Sequence, residues 1–289
     1  MRSTKTSSAN AWLLQAFQIL SGCADQPALE AQVLLAHVLE RPRAWVIAHP
    51  EFLLSNDQDE HLYTLLAQRQ QGAPLPYLLG HWEFYGLDFM LNPHVLIPRP
   101  ETEFLVEEAL EWIHGHGHSQ KLNAVDVGAG SACIAVSLAK NAPGLTLIGI
   151  DISRPALAVA RQNVLRHGVQ DQVHLLQGDL LQSYGGWIDL VCANLPYIPS
   201  QTLAGLEVAS HEPWLALDGG PDGLRLVERL LAQAAVRMAP GGMLLLEIES
   251  GQGESAAELA SRLFPQAAIR VLPDLSGKPR LLKIVPDRD

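Results

Sequence analysis

The chain has 289 residues, of which 48% are hydrophobic, so it can bury one large core and still form a second, smaller domain. Its formal net charge is −11, with 20 basic against 31 acidic residues. It contains no cluster of lysines and arginines of the kind that contacts a phosphate backbone. This balance disfavours direct binding of nucleic acid and favours a protein or small-molecule substrate.

The cysteines and the amino-terminal residues bear on the compartment in which the protein works. Three cysteines, widely spaced and without a Cys-x-x-Cys pair, indicate neither a disulfide framework nor a zinc site. The first ten residues are polar and lack the apolar stretch of a secretory signal. No run reaches the roughly 18 apolar residues that a membrane span needs. We therefore expect a cytoplasmic enzyme without a membrane anchor.

Helical spacing dominates the first quarter of the chain. Apolar residues recur at this spacing from residue 11 to residue 71, which predicts a helical bundle as a first domain, residues 1–73. The acidic stretch 56–60 is suited to the start of a further helix. Over residues 74–100 aromatic and β-branched residues are interrupted by glycine and proline, a pattern that predicts a β-hairpin linker.

The remaining residues, 101–289, alternate short apolar runs with helical patterns. Regular alternation of this kind predicts a parallel sheet with helices on both faces. The last two runs, 268–272 and 280–285, predict an antiparallel hairpin that ends the sheet. The other predicted strands are 124–127, 145–150, 173–176, 188–193 and 243–248, and the predicted helices are 131–140, 154–167 and 224–238.

A glycine-rich loop follows the first predicted strand of this domain. Glycines that alternate with small residues let the backbone turn tightly and approach a ligand before the next helix begins. Cys133 stands where a dinucleotide fingerprint needs glycine, and the Gly-Lys-Ser/Thr of a P-loop is absent, so NAD and ATP are disfavoured. Such a turn is also often only tight packing. The candidate cofactor-binding residues here are Asp126, Gly128, Ala129, Gly130, Ser131 and Ala132.

Carboxylates follow the next two predicted strands. Asp151, with Ile152 beside it, can accept both ribose hydroxyls of a nucleoside. Its alternative role is the N-cap of the following helix, for which Ser153 is also available. Asp179 can accept from an adenine amino group while Leu180 packs on the ring, although an ordinary turn aspartate fits the same sequence. Because parallel strands end at one edge of a sheet, these residues and the glycine loop predict an adenosine site there.

The tetrapeptide Asn194-Leu195-Pro196-Tyr197 follows the fourth predicted strand. Asn and Pro are ordinary turn residues, but this position is at the same edge of the sheet. The side-chain oxygen of Asn194 and the backbone oxygen of Leu195 can accept both N–H groups of one amide or amine, Pro196 stiffens the loop, and Tyr197 presents a flat face. This predicts methyl transfer to a planar nitrogen. We assign Asn194, Pro196 and Tyr197 as catalytic, all four residues as substrate-binding, and Asn194 also as a cofactor contact.

Two other possibilities are weaker. The run His114-Gly115-His116-Gly117-His118 resembles a metal-binding tract, but it lacks cysteine or carboxylate partners, so we expect a solvated glycine loop and no metal. The Gly-x-Ser-x-Gly elbow of a hydrolase is absent. A cofactor-binding module with a vestigial transferase site is the non-enzymatic alternative, and the intact Asn194 and Tyr197 speak against it.

Five stretches together resemble one family: 76–86, 96–103, 126–132, 194–197 and 211–213. They are similar to the HemK/PrmC family of class I S-adenosylmethionine-dependent methyltransferases, and the likeness extends over nearly the whole chain. It implies an α/β fold in which a helical bundle and a hairpin linker precede a seven-stranded Rossmann-like domain.

The resemblance also implies a reaction. Members of this family transfer a methyl group from S-adenosylmethionine to the side-chain amide of the glutamine in the Gly-Gly-Gln motif of peptide chain release factors, leaving S-adenosylhomocysteine. The resemblance implies that the helical domain helps to dock the release factor, and we expect a monomer.

Two residues depart from the family pattern. Leu195 replaces the first proline of the usual Asn-Pro-Pro-Tyr but still supplies a backbone carbonyl. Ala132 stands where glycine is frequent, and we expect it to add a methyl group to backbone that is already helical. Asn-Leu-Pro-Tyr also resembles the motif of ribosomal RNA adenine dimethyltransferases, so an adenine amino-group methyltransferase acting on RNA or DNA is the alternative. The net charge and the segment around Arg99 disfavour it. Arg99 and Glu101 either pin the linker or touch the substrate.

Overall fold

The computed structural model describes residues 7–116 and 122–287. The chain divides into two compact units, Met1–Gly80 and His81–Asp289. This division lies between the predicted domain boundaries after residues 73 and 100, which stay a prediction. No helix among the described residues is long and apolar enough to cross a bilayer.

The first unit is helical, as predicted. Its largest fully buried side chains include Trp12, Leu34 and Leu62, which lie on three different helices. Ser55 and Gln58 form a capping box at the start of α4, the longest described helix of this unit, so the acidic stretch 56–60 occupies its first turns. The helices are α1 (Ala9–Leu20), α2 (Pro27–Leu39), α3 (Arg43–Ala48), α4 (Asn56–Gln70) and α5 (Leu75–Leu79).

The second unit begins with the predicted hairpin, β1 (His81–Phe84) and β2 (Leu87–Met90). Tyr85 and Gly86 connect the strands with φ angles of 51° and 71°, as a two-residue type I′ turn requires. The helix α5 before the hairpin was not predicted. Asn163 fixes the hairpin to the rest of this unit, because its side chain accepts from the N–H of Met90 and donates to the carbonyl of Met90.

The rest of the second unit forms an α/β domain. Its elements are α6 (Pro100–Gly115), β3 (Asn123–Val127), α7 (Cys133–Asn141), β4 (Thr146–Asp151), α8 (Arg154–Arg166), β5 (Val173–Gln177), β6 (Ile188–Ala193), β7 (Ile198–Pro199), α9 (Ser200–Leu203), β8 (Asp218–Gly220), α10 (Arg225–Ala234), β9 (Met238–Glu247), α11 (Gly253–Leu263), β10 (Ala268–Pro273) and β11 (Pro279–Val285).

In the described part of the chain, seven of these strands form one sheet in the order β10-β11-β9-β6-β3-β4-β5. Strands β9, β6, β3, β4 and β5 are parallel, and β11 is antiparallel to both of its neighbours. The predicted seven-stranded α/β domain with a final antiparallel hairpin is therefore confirmed. The strand order reverses between β3 and β6, and such a switch point is where open α/β sheets bind ligands.

Two predictions about elements were wrong. The predicted helix 224–238 ends at Ala234, and Met238 instead begins β9, where it pairs with Ile188. Pro240 and the glycines after it have the sequence of a turn, but β9 continues through them. The pairing register of β6 against β9 shifts there, between Ile188 and Leu190. The histidine run is not wholly a loop, since α6 continues to Gly115. Its residues 117 and 118 lie outside the described residues.

Candidate active site

A cavity of about 340 Å³ lies at the carboxyl ends of the parallel strands, within the range of small-ligand sites. The structure describes all of the predicted site residues. Three of them do not line this cavity: Asp126, Ala132 and Tyr197. Those that do are Gly128, Ala129, Gly130, Ser131, Asp151, Ile152, Asp179, Leu180, Asn194, Leu195 and Pro196. The structure thus brings most of the predicted site into one concave surface.

The glycine loop turns through left-handed backbone conformations. Gly128 and Gly130 have φ angles of 75° and 54°. Ala132 also has a positive φ, 62°, and forms the N-cap of α7 with its side chain fully buried. The expectation that Ala132 lies in backbone that is already helical was therefore wrong. The frequent glycine of the family pattern suits this conformation, and alanine adopts it at a cost.

Asp126 acts on the helix that follows the loop. One carboxylate oxygen, Oδ2, accepts from the N–H of Ala135 at 3.1 Å in the first turn of α7. The other oxygen, Oδ1, is buried and has no hydrogen-bond partner among the described residues. Burial raises the pKa of this carboxyl to about 7. The side chain therefore connects the end of β3 to the first turn of α7, the two elements that the glycine loop joins.

Asp151 lies in the cavity wall and holds two loops. Its Oδ2 accepts from the N–H of Gly130 at 2.8 Å, and its Oδ1 accepts from the N–H of Ser153 at 2.8 Å. Burial raises the pKa of Asp151. The N-cap of α8 is Ser153, whose hydroxyl accepts from the N–H of Ala156. Asp151 is thus not the N-cap, and its carboxylate stands beside the exposed Ile152 at the cavity.

Asp179 and Leu180 line the cavity beyond the end of β5. Asp179 accepts a hydrogen bond from the guanidinium of Arg229 at 2.6 Å, so one of its oxygens has a partner within the chain. Leu180 has a φ of 53° and is 7% exposed. A left-handed conformation is rare for leucine and concentrates at functional sites. Its side chain forms part of the apolar surface of the cavity.

The Asn194 amide is held in one orientation by buried side chains. Its Nδ2 donates to the hydroxyl of Thr102 at 3.0 Å, which leaves Oδ1 as the acceptor of this amide. Thr102 in turn donates to Oε2 of Glu247 at 2.7 Å. Both Thr102 and Glu247 are 2% exposed. An amide oriented in this way can accept an N–H group from a ligand in the cavity.

Comparison with known proteins gives the family. Residues 11–80 match the PrmC N-terminal domain, and residues 102–209 match the methyltransferase small domain. A protein from Moorella thermoacetica named release factor glutamine methyltransferase is 41% identical over 91% of this chain and 93% of its own length. A protein of the same name from Gloeobacter violaceus is 41% identical over 77% and 78%. The chain belongs to the release factor glutamine methyltransferase family. The family predicted from the sequence is confirmed.

Solved structures agree on the fold. A methyltransferase from Pyrococcus furiosus superposes with a TM-score of 0.52 at 14% sequence identity, over 81% of this chain and 100% of that one. At this identity the likeness concerns the fold alone. Together with the family matches, it identifies the second unit as a methyltransferase domain of the predicted Rossmann-like class.

A second loop, which sequence reasoning missed, packs on the Asn194-Leu195-Pro196-Tyr197 loop. A Cβ atom on Gly223 would lie 2.1 Å from the carbonyl oxygen of Tyr197, and one on Gly219 would lie 2.8 Å from that of Pro196. Gln252 donates from Nε2 to the same carbonyl of Tyr197 at 3.0 Å. Burial, followed by the charge of Glu247, raises the pKa of Tyr197 to about 12. The glycine-rich sequence 218–223 was the signal that marked this close approach.

Arg99 and Glu212 join two segments that line the cavity. The guanidinium of Arg99 donates to Oε1 of Glu212, and the N–H of Ile97 donates to Oε2 at 3.1 Å. The neighbouring residues Pro98 and Pro213 both line the cavity. Glu212 is 7% exposed, so its carboxylate is largely shielded from water, whereas the Arg99 side chain is 34% exposed. These contacts favour the first of the two roles left open for Arg99, that of pinning the segment before α6.

Proposed function

We propose that this protein transfers the methyl group of S-adenosylmethionine to the side-chain amide nitrogen of the glutamine in the Gly-Gly-Gln motif of release factors. The observation that carries the proposal is the fixed Asn194 amide, which presents an acceptor oxygen to a cavity that also contains the glycine loop. The proposed setting is the cytoplasm, and the proposed form is a monomer with S-adenosylhomocysteine as product. The name of the relatives, release factor glutamine methyltransferase, supports a release factor glutamine as the acceptor.

The residues of the cavity fit the proposed cofactor. The small residues Ala129, Gly130 and Ser131 leave room along the cavity wall for a nucleoside and its tail. The carboxylate of Asp151 suits ribose hydroxyls, and the apolar wall at Leu180 suits a flat base. When bound, the sulfonium supplies an electrophilic methyl group and leaves as a neutral thioether that keeps the bonding electron pair.

The loop that contains Asn194 and Tyr197 orients the glutamine amide toward the methyl group. Oδ1 of Asn194 and the carbonyl of Leu195 accept the two N–H groups of the glutamine amide, and these bonds favour a nitrogen that becomes tetrahedral. Pro196 stiffens the loop, and we assign the flat wall for the substrate to the ring of Tyr197, which follows the cavity-lining residues but does not line the cavity itself. The nitrogen forms a bond to the methyl carbon, and one amide proton then leaves to water. The alkylated amide is acidic enough that no strong general base is needed.

The helical unit and the hairpin extend the proposal beyond the cavity. We assign residues 1–73 to a domain that helps dock the release factor, residues 74–100 to the linker and residues 101–289 to catalysis. The match of residues 11–80 to the PrmC N-terminal domain supports a dedicated role for the helices. The net charge of −11 supports a protein substrate over a nucleic acid.

The test is methyl transfer from labelled S-adenosylmethionine to purified release factor, to its variant with alanine in place of the Gly-Gly-Gln glutamine, and to ribosomal RNA. Label on the wild-type release factor alone is the expected result. Label on RNA would instead establish the adenine methyltransferase alternative. Label on the alanine variant would show that another residue is the acceptor.

Asn194→Ala should lower the rate by about 10²- to 10³-fold, as loss of one oriented hydrogen-bonding group does in other active sites. Binding of S-adenosylmethionine, measured by calorimetry, should be nearly unchanged. Asn123→Ala, an exposed asparagine at the start of β3, is the matched control and should keep wild-type activity. Equal rates for the two variants would contradict the role of Asn194.

A further inference from the structure

A chain of hydrogen bonds leads from the cavity into the core of the methyltransferase domain. It runs from Asn194 to Thr102 at 3.0 Å and from Thr102 to Glu247 at 2.7 Å. The three residues come from the end of β6, the first turn of α6 and the end of β9. Only Asn194 belongs to the loop that the proposed function uses. The other two are buried polar side chains whose role that function does not explain.

The donor and acceptor roles in this chain follow from its far end. A carboxylate can only accept hydrogen bonds, so the hydroxyl of Thr102 must donate to Glu247. The oxygen of Thr102 is then left to accept, and only the NH₂ end of the Asn194 amide can donate to it. Without this partner the two ends of the amide, which are nearly equal in shape, could exchange places. The exchange would turn a donor toward the glutamine N–H groups.

The surroundings of Glu247 bear on its charge. Burial raises the pKa of this carboxyl to about 7, while the hydrogen bond from Thr102 and the charges of Arg280 and Arg99 oppose the shift and that of Glu101 adds to it. The carboxyl is therefore mainly ionised at pH 8. Its second oxygen, Oε1, is buried and has no hydrogen-bond partner in the described residues. The hydroxyl of Thr102 is thus the hydrogen-bond donor to Glu247 among the described residues.

We propose that Thr102 and Glu247 are positioning residues that determine which end of the Asn194 amide faces the substrate. The inference rests on the proposed function for its kinetic consequence, but not for its structural one. The hydroxyl group of Thr102 is the decisive element, because it is the only part of the side chain that both donates to Glu247 and accepts from Asn194.

Two substitutions separate the hydroxyl group from the shape of the side chain. Thr102→Val keeps the branched shape and removes the hydroxyl, whereas Thr102→Ser keeps the hydroxyl and removes a methyl group. Loss of one such hydrogen bond should lower kcat at pH 8 by about tenfold in Thr102→Val. Thr102→Ser should recover most of that loss, and the Kd for S-adenosylmethionine should stay near wild type in both. Thr146→Val, at an exposed position of β4, is the control for the threonine-to-valine change.

A double-mutant cycle tests whether Thr102 acts through Asn194. In the Asn194→Ala background, Thr102→Val should cause little further loss of kcat, because no amide remains to be oriented. A full tenfold loss in that background would overturn the proposal, as would equal impairment by Thr102→Ser and Thr102→Val. If Thr102→Val does not fold, Glu247→Gln carries the test. A glutamine can donate to Thr102 as well as accept from it, so the direction of the hydrogen bonds is no longer fixed. The kcat of Glu247→Gln should therefore fall, and an unchanged kcat would refute the inference.

A measurement without substrate separates this inference from the proposed function. The side-chain NH₂ of Asn194, assigned by its absence in Asn194→Ala, should exchange slowly with solvent in the wild-type protein. It should exchange fast in Thr102→Val and slowly again in Thr102→Ser. Equal exchange in all three proteins would refute the positioning role. If the three proteins show this exchange pattern but the wild-type protein does not methylate release factor, only the proposed function is refuted.

Discussion

Gly223 is the position at which the structure makes the sharpest prediction for a single methyl group. Its φ is +79°, and a Cβ atom there would lie 2.1 Å from the carbonyl oxygen of Tyr197 and 2.4 Å from Nε2 of Gln252. Gly223→Ala therefore carries two costs. The left-handed conformation costs about 1–2 kcal/mol for a residue with a Cβ atom. Overpacking against the Tyr197 carbonyl adds about 1–3 kcal/mol.

The reduced entropy of the unfolded chain offsets about 0.4–1 kcal/mol of these costs, so the free energy of unfolding should fall by roughly 3 kcal/mol. The Tyr197 carbonyl must also move, and a displacement of about 1 Å in an active site costs on the order of 10² in rate. Urea unfolding and the initial rate of methyl transfer would measure the two effects. Both losses are expected in the same variant.

Gly277→Ala is the matched control, because Gly277 has a φ of +77° and nothing within 4 Å of the added Cβ atom. It should carry the conformational cost alone, about 1 kcal/mol after the entropic offset, and keep full activity. If the two variants lost the same stability, the contact of the added Cβ atom with the carbonyl of Tyr197 would contribute nothing to the stability loss of Gly223→Ala. If Gly223→Ala lost stability but kept its activity, the loop would not need its observed position.

Three further predictions concern the rest of the site. Burial raises the pKa of Asp126 to about 7, so between about pH 4 and 7 the folded state keeps a proton that the unfolded state has lost. The free energy of unfolding should therefore fall as the pH rises from about 4 to 7. Asp126→Asn should flatten this slope in melts from pH 4.5 to 8, and an unchanged slope would exclude Asp126 as its source. Arg99→Ala should destabilise the protein more than Glu212→Ala in urea, since it leaves the buried Glu212 carboxylate without its cation, whereas Glu212→Ala leaves a guanidinium that water can reach and one unpaired N–H. Equal losses would mean that this carboxylate needs no cation. Asp151→Ala should weaken binding of S-adenosylmethionine at least about tenfold by calorimetry, and unchanged binding would refute the ribose assignment.

The sequence carried enough local information to predict the sheet and its ligand-binding edge. Short apolar runs that alternate with helical patterns leave few arrangements other than a parallel sheet, because right-handed crossovers fix the connections. The glycine loop after β3 and Asn194 after β6 were predicted to meet for that reason. The strand order confirms this, since β3 and β6 are neighbours at the switch point.

What the sequence could not predict depends on contacts between distant residues. Thr102 and Glu247 are 145 positions apart, and Arg99 and Glu212 are 113 apart, so no local period reveals either pair. The prediction that Ala132 lies in helical backbone was wrong for a different reason. Alanine favours helix by itself, but here the turn of the loop forces a positive φ on it. The prediction followed the intrinsic preference of the residue, and the tertiary fold overrode it.

Leu195 explains how the two functional loops depend on each other. Its side chain is 3% exposed, and its Cδ2 would lie 3.0 Å from a Cβ atom on Gly128. The leucine therefore fills the space that glycine leaves open in the loop after β3. Its backbone carbonyl, the part that the proposed chemistry uses, makes no demand on the side chain. A leucine in place of the usual proline leaves that carbonyl available, and together with the φ of 75° at Gly128 it favours glycine at this position, since a Cβ atom there would require the Leu195 side chain to shift.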